Sequence, residues 1–491
     1  MTKPKALLIV FALFVISILL RIPNLNRIVS KHHEFNTAMV LINTESWRQA
    51  GGGSTFHFIP LINFQNPGDK RPNRTHYSVD PNGNQLYVSS GPAWFVIPYF
   101  IYEIFGLPNV PIYIQIINLV FNLVSVIVFF RLLDILISSD KKDKYLLIVS
   151  GCFFFMFSPC TLWYFGNGYI NIGIQMPFII SFFLLIVPML QSAENITAKK
   201  LFFLGLLTLL LVYFDWLILA ICFIIGLYLL FKIKKQPKYF QVIFSLGLSS
   251  VVGVALLFFQ FASHTGWQDI ATYWSQRFGT RSFANSGGDS FLQLARYLIQ
   301  NFITAYLPVL IFLTCMFIWV ITKKIKISFT KTEKIFLGLY TASIVFYNFT
   351  LFEWSSDHEY SIIPWSILFS YLAIKFIPFF TKKQLYILTI VFFIATMSQY
   401  YFINRPGKIS REGTPYISFK NFGDSLKQVP LDYQIFTDLK QDPMVEYYGG
   451  RNITTIENID SAKSYMKKWN VTKAVWVEHD NLDFKKASVI R

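Results

Sequence analysis

The chain has 491 residues, of which 54% are hydrophobic and 14% charged, against roughly 25% charged in an ordinary soluble domain. Phe alone contributes 52 residues. This composition excludes a disordered chain and an ordinary soluble enzyme. The formal net charge of +17 has to be read by where it falls before nucleic acid is considered as a partner.

A helix needs about 20 apolar residues to cross a ~30 Å hydrocarbon core. The first such run is 6–22, opened by Lys3 and Lys5. No small-residue cleavage site follows it, so it reads as a retained span rather than a signal peptide. Further runs fall near 111–136, 145–163, 171–190, 201–214, 216–231, 239–262, 301–322, 335–352, 361–380 and 384–402. The expectation is an α-helical polytopic membrane protein with about eleven transmembrane helices. The stretch 201–231 is too long for one span and holds Asp215 near its middle. A carboxylate at a bilayer centre costs roughly 3 kcal/mol on insertion scales. Two short helices meeting at Asp215-Trp216 avoid that cost.

Lysines cluster in alternate loops: Lys141, Lys142 and Lys144; Lys199 and Lys200; Lys232 to Lys238; Lys323 to Lys334; Lys382 and Lys383. The positive-inside rule puts these loops in the cytoplasm. The long loop 23–110, the loop 263–300 and the short turn around Phe352–Tyr360 are then outside, and all seven histidines fall on that side. Most of the positive excess is thus an orientation signal, not a polyanion-binding surface. Residues 1–402 form the membrane module. Residues 403–491 alternate β-like runs (Tyr433–Phe436, Asn452–Ile456, Ala474–Val477) with a helical stretch at Ile459–Trp469. They read as a small α/β domain outside the membrane. It has no GxGxxG and no P-loop, so no nucleotide is expected there. Cys152, Cys160, Cys222 and Cys315 lie in or beside apolar runs, without metal or disulfide spacing, and read as packing residues.

The sharpest polar signal is Lys31-His32-His33-Glu34-Phe35-Asn36. A general base is an imidazole or carboxylate within hydrogen-bond reach of the proton it takes, and Glu34 and His33 are of the right kind. A solvated turn at the membrane surface is the alternative. Phe35, Met39, Ile42 and Trp47 then recur at helical spacing, as expected of an interface-lying helix. Ala93 to Phe105 is a second such stretch. Between them Lys70, Arg71, Arg74 and His76 form a basic centre suited to a lipid phosphate or to ordinary headgroup contact. Tyr87 to Pro92 follows. Asp357-His358-Glu359 caps another outer helix, either as a site or as a simple helix start. Arg277, Arg281, Trp267 and Trp274 in the loop 263–300 suit lipid or acceptor contact, or an interfacial aromatic belt. His32, His33 and Glu34 are adjacent, so their side chains diverge. A shared metal would need ligands from other loops, and no metal or other cofactor is expected.

Taken together, Arg21-Ile22-Pro23 at the end of the first span, His33-Glu34-Phe35-Asn36-Thr37-Ala38, Tyr87 to Pro92, Asp215-Trp216 and His358-Glu359-Tyr360 with Pro364 resemble the GT-C superfamily of membrane glycosyltransferases. The similar groups are bacterial relatives of protein O-mannosyltransferases and of the lipid A aminoarabinose transferase. The resemblance spans the whole chain as architecture. It implies that a sugar leaves a polyprenyl-phosphate carrier for an acceptor hydroxyl, with inversion, at the outer face of the plasma (inner) membrane. The partners implied are the bilayer, the lipid-linked sugar, and an acceptor glycan, lipid or protein. Glu34 matches the position of the family's acid in the first outer loop. Many members carry Asp-Glu where this chain has His33-Glu34, and Asn167 to Asn171 lacks an acid found in several relatives. The resemblance further implies cationic groups that stabilise the leaving lipid phosphate, and the candidate donor contacts are Lys70, Arg71, Arg74, His76, Tyr87, His358, Glu359 and Asp215. A transporter or flippase and a non-catalytic envelope-assembly protein are the competing readings.

Overall fold

A computed structural model of the chain describes residues 1–29, 32–71, 78–138, 143–282, 290–404, 414–440, 442–480 and 482–490. Each of the eleven expected spans coincides with helix. They are α1 (Lys3–Arg21), α4 (Pro111–Leu136), α5 with α6 (Lys144–Met156, Pro159–Tyr164), α7 (Asn171–Gln191), α8 (Ala198–Val212), α9 (Leu217–Ile233), α10 (Tyr239–Thr265), α12 (Phe291–Thr322), α13 (Lys331–Thr350), α15 (Trp365–Ile374) and α16 (Lys382–Asn404). Six of these, α1, α4, α7, α10, α12 and α16, are long and apolar enough to cross a membrane. The shorter ones are wedged among them. Lipid-side Phe and Leu side chains remain exposed along α9, α10 and α12, among them Phe231, Phe244 and Phe317, as expected where bilayer replaces water as the solvent.

The 201–231 stretch does break into α8 and α9 at Asp215-Trp216. At the other end of the bundle, Asp134 of α4 lies 2.6 Å from Lys3 and 2.8 Å from Lys144. That ion cluster ties the starts of α1 and α5 to the end of α4. Arg21, fully buried at the end of α1, donates to the carbonyls of Leu162 and Thr161 at the C-terminal turn of α6. A guanidinium there answers carbonyls of the last helical turn and the negative end of the helix dipole.

Between α1 and α4 lie α2 (Phe35–Gln49) and α3 (Ala93–Ile104). Helix α3, expected to lie at the interface, shows Phe100 and Ile104 on its surface. The same expectation fails for α2, which is buried over most of its length, polar positions included. Those polar groups are answered locally. Asn43 accepts from the Leu61 N–H at 2.8 Å, and Ser46 donates to the Asn63 carbonyl at 2.8 Å. The cover of α2 comes from α3, α4 and the C-terminal unit.

That unit holds α17 (Tyr416–Leu426), β1 (Gln434–Thr437), α18 (Pro443–Gly449), β2 (Ile453–Thr455), α19 (Ile459–Trp469), β3 (Ala474–Asp480) and β4 (Asp483–Val489). Its sheet has the order β2-β1-β3-β4, with β1 parallel to β2 and β3, and β4 antiparallel to β3. Helix α18 packs on α2, and Val29 and Ala38 join the core of the unit. Buried Arg451 lies 3.3 Å from Asp69 of the long loop. The unit is therefore fastened to the membrane module by a desolvated ion pair as well as by apolar contact.

Candidate active site

Where the domain end of the bundle meets the long loop there is a polar cavity of about 500 Å³. Asp215 stands in its wall, 3% exposed. The carboxylate follows the end of α8 and caps α9, accepting from the Leu217 N–H at 3.2 Å. It also accepts from Tyr347 Oη at 2.6 Å and from Asn171 Nδ2. Burial pushes its pKa up to about 6, against the lowering effect of those hydrogen bonds.

The Asp215 turn is held by the Tyr87–Pro92 stretch. Trp216 Nε1 donates to the Ser89 carbonyl at 3.0 Å, and the Ala93 N–H donates to the Tyr213 carbonyl at 3.0 Å. A Cβ at Gly91 would stand 2.1 Å from that same carbonyl oxygen, so only glycine lets the two segments touch. Gly91→Ala is expected to lower stability by about 1–3 kcal/mol, the usual cost of overpacking, and to shift the thermal midpoint of detergent-solubilised protein downward.

Helix α11 (Trp267–Arg281) brings the cations. Arg277 and Arg281 are one turn apart and both line the cavity. Arg277 Nε donates to Tyr273 Oη at 3.0 Å, and Tyr273 Oη lies 2.8 Å from Ser89 Oγ. The Arg281 guanidinium sits 5.9 Å over the Trp354 ring. On another side an apolar groove of about 470 Å³ runs between α9, α11 and α13, lined by Leu219, Phe223, Phe346 and Leu351. Arg277 and Arg281 line this groove as well. The two arginines thus stand where a polar chamber meets an apolar channel.

Of the histidine motifs, His358 and Tyr360 line the cavity, and His33 is not among the lining residues but packs against both. His33 and His358 have ring centroids 6.1 Å apart, and Tyr360 lies 5.1 Å from each. His32 Nε2 is 3.9 Å from Glu359 Oε1, with both side chains almost fully buried. His358 Nδ1 is 2.9 Å from the Trp354 carbonyl. A carbonyl only accepts, so Nδ1 carries the proton and Nε2 is left as an acceptor. Burial, and then the nearby Arg281 and Arg277, lower the pKa of His358 to about 4, so its imidazole is neutral near pH 7. His32 and His33 both adopt left-handed φ, 60° and 63°, uncommon for non-glycine residues.

Several expected site residues stand elsewhere. Glu34 is fully buried, with Oε1 3.0 Å from Arg27 Nη2. Its neighbours Phe35 and Asn36 line the cavity; Glu34 is not among the lining residues. The Arg27 guanidinium lies over Trp163 at 5.2 Å and over Tyr416 of the C-terminal unit at 4.2 Å. Glu34→Gln is expected to lower stability by about 3 kcal/mol, because it takes a buried carboxylate away from a buried guanidinium; thermal unfolding in detergent measures it. Lys70 is not at the cavity either: its ammonium donates to Gln65 and Asn84. Arg71 donates to Thr454 and to the Ile453 carbonyl, bracing β2. Both residues line a separate cleft between the long loop and the C-terminal unit. Arg74 and His76 lie outside the described residues. Tyr87, Asp215 and His358 do line the cavity, whereas Glu359 does not and lies against His32. Tyr347 and Glu446 belong to the site without having stood out in the sequence, and Asn171, where the sequence lacked an acid, donates to Asp215. Among the described residues, no three His, Cys, Asp or Glu side chains gather as a metal site.

The bundle, the long first loop and the C-terminal α/β unit together share the fold of two solved structures. The structure of ArnT from Cupriavidus metallidurans bound to undecaprenyl phosphate superposes with a TM-score of 0.64 at 9% identity, over 97% of this chain and 93% of that one. The oligosaccharyltransferase of Archaeoglobus fulgidus, in complex with Zn and sulfate, superposes with a TM-score of 0.56 at 12% identity, over 96% of this chain and 68% of that one. No family model and no curated protein sequence matches the chain.

Proposed function

We propose that the protein transfers a sugar from a polyprenyl-phosphate carrier to an acceptor hydroxyl, with inversion at the anomeric carbon. The observation that carries this reading is the sharing of Arg277 and Arg281 between the polar cavity and the apolar groove. A lipid-linked sugar needs those three environments in that order. Its chain occupies the groove, its phosphate meets the two guanidiniums, and its sugar enters the polar cavity. Arginine forks are the side chains best matched to phosphate oxygens. The undecaprenyl phosphate bound by ArnT supports a carrier of this class.

In the transfer step Asp215 takes the acceptor's hydroxyl proton as the oxygen attacks the anomeric carbon. The bond from that carbon to the phosphate oxygen breaks, and its electron pair leaves with the polyprenyl phosphate, stabilised by Arg277 and Arg281. Neutral His358 offers Nε2 as an acceptor to a sugar hydroxyl. Glu34 acts indirectly, holding the start of α2 and the His33 turn through Arg27. The lysine-rich loops lie at the opposite end of the bundle, and by the positive-inside rule this supports a site on the outer face of the plasma membrane.

The test uses purified protein in lipid nanodiscs, a panel of labelled polyprenyl-phosphate sugars, and glycan or glycolipid acceptors. Release of polyprenyl phosphate with transfer of label is expected, weakened in Arg281→Ala. Substrate flux through proteoliposomes without any release of carrier would overturn the reading in favour of a transporter.

A further inference from the structure

The groove that ends at the arginines does not stand alone. A second apolar groove, of about 500 Å³, lies across α9 from it, against α10. Val251, Val254, Ala255, Phe258 and Phe259 line it at a spacing that sets them on one face of α10. Leu219 and Trp274 line both grooves. Trp274 is fixed as the ridge between them. Its Nε1 donates to the Val88 carbonyl at 2.9 Å, and its ring stands edge-on to Trp216 at 5.3 Å and to Phe258 at 5.4 Å. Trp216 is locked in the same way on Ser89.

The two grooves differ in charge. The first has Arg277 and Arg281 at one end. Among the described residues the second has Ser250 as its sole aliphatic polar side chain and no charged one. It cannot anchor a phosphate headgroup of its own. Whatever fills it is a chain whose headgroup is held elsewhere, and the adjoining cationic position is the arginine pair, reached past Leu219 and Trp274. A pocket the size of the first groove suits a drug-sized ligand, and a long polyprenyl chain exceeds it.

We propose that the second groove binds the distal isoprene units of the same polyprenyl phosphate whose headgroup rests on Arg277 and Arg281. The chain crosses the Trp274 ridge at the top of α9. The enzyme therefore measures carrier length: a short chain fills the first groove alone, and a long one gains apolar contact in both. This rests on the donor assignment made above.

The experiment compares binding of undecaprenyl phosphate and farnesyl phosphate to purified protein in detergent micelles. Ala255→Phe narrows the second groove without touching the first. Val252→Phe, on the same helix but outside the groove lining, is the control. The long lipid is expected to bind Ala255→Phe about tenfold more weakly than wild type, with farnesyl phosphate binding and the control unchanged. Equal affinity of the long lipid for wild type and Ala255→Phe overturns the second-groove assignment, and so does an equal loss for both lipids. A carrier with a diazirine at its distal end gives a readout on unmutated protein. Labelling of peptides spanning 250–259 is expected, and labelling confined to α9 and α13 overturns the assignment. Failure of wild type to bind either lipid instead overturns the donor reading itself.

Discussion

In the double variant Arg277→Ala/Arg281→Ala, undecaprenyl phosphate binding is expected to weaken by about a hundredfold or more, with transfer falling at least as far. Each hydrogen bond to a charged partner is worth about 1.5–3 kcal/mol, and about 1.4 kcal/mol is tenfold in affinity. The single variants should each lose a share. Arg281→Lys should recover part of it, since a point charge replaces the guanidinium but loses the two-pronged contact and the stacking over Trp354. Folding should be little affected. Arg277 gives up one hydrogen bond to Tyr273, and Arg281 one ring contact worth about 0.5–1 kcal/mol at a partly exposed position. Arg71→Ala is the counter-case. It removes the brace on β2 and should lower thermal stability while leaving lipid affinity near wild type. Isothermal titration and thermal unfolding on the same preparations separate the two. If Arg71→Ala weakened lipid binding and the α11 variants did not, the headgroup position argued here would be wrong.

That contrast shows what the sequence carries and what it does not. Helix positions are legible because a run of apolar residues in a chain this poor in charge has one economical use. The break at Asp215-Trp216 is legible for the same reason, since a mid-span carboxylate forces a turn. Cationic residues are harder. Lys70, Arg71, Arg277 and Arg281 all sit in loops between spans. Pattern does not say which of them brace a domain and which face a cavity. The i, i+3, i+7 spacing of Trp274, Arg277 and Arg281 is the one local hint, and it equally suits an aromatic belt at a membrane surface. The meeting of His33 with His358 is tertiary, and no local rule predicts it. Asn171 reads as a missing acid in sequence, yet in space it is a donor to Asp215. Strand β4 escapes because its exposed, lysine-bearing pattern is what protects a sheet edge from further pairing and does not look like a buried strand.

Asp215→Asn should separate function from stability in opposite directions. A positioned general base contributes roughly 10²–10⁴-fold in rate, so transfer should fall by about that factor while carrier binding holds, because Arg277 and Arg281 are untouched. In wild type the base must be ionised. With its pKa raised by burial to about 6, the rate should climb as pH rises through about 6 and flatten above it. His358, lowered to about 4, stays neutral across that range and should add no inflection there. The residual activity of Asp215→Asn should lack the step near 6. Stability runs the other way. A carboxyl whose folded pKa is raised from 3.8 favours the folded state while protonated. That contribution is fully present below pH 3.8 and is lost as pH rises through about 6, which amounts to roughly 3 kcal/mol for a shift of about two units. At pH 7 the wild type therefore carries a buried anion that the neutral amide does not. The variant should unfold at a higher temperature than wild type at pH 7, and the difference should shrink as the pH is lowered toward 4. A rate profile flat from pH 5 to 8 in wild type, or full activity in Asp215→Asn, would remove Asp215 from the chemistry. The base would then have to be sought among the other carboxylates that line the cavity, Glu353, Asp357 and Glu446.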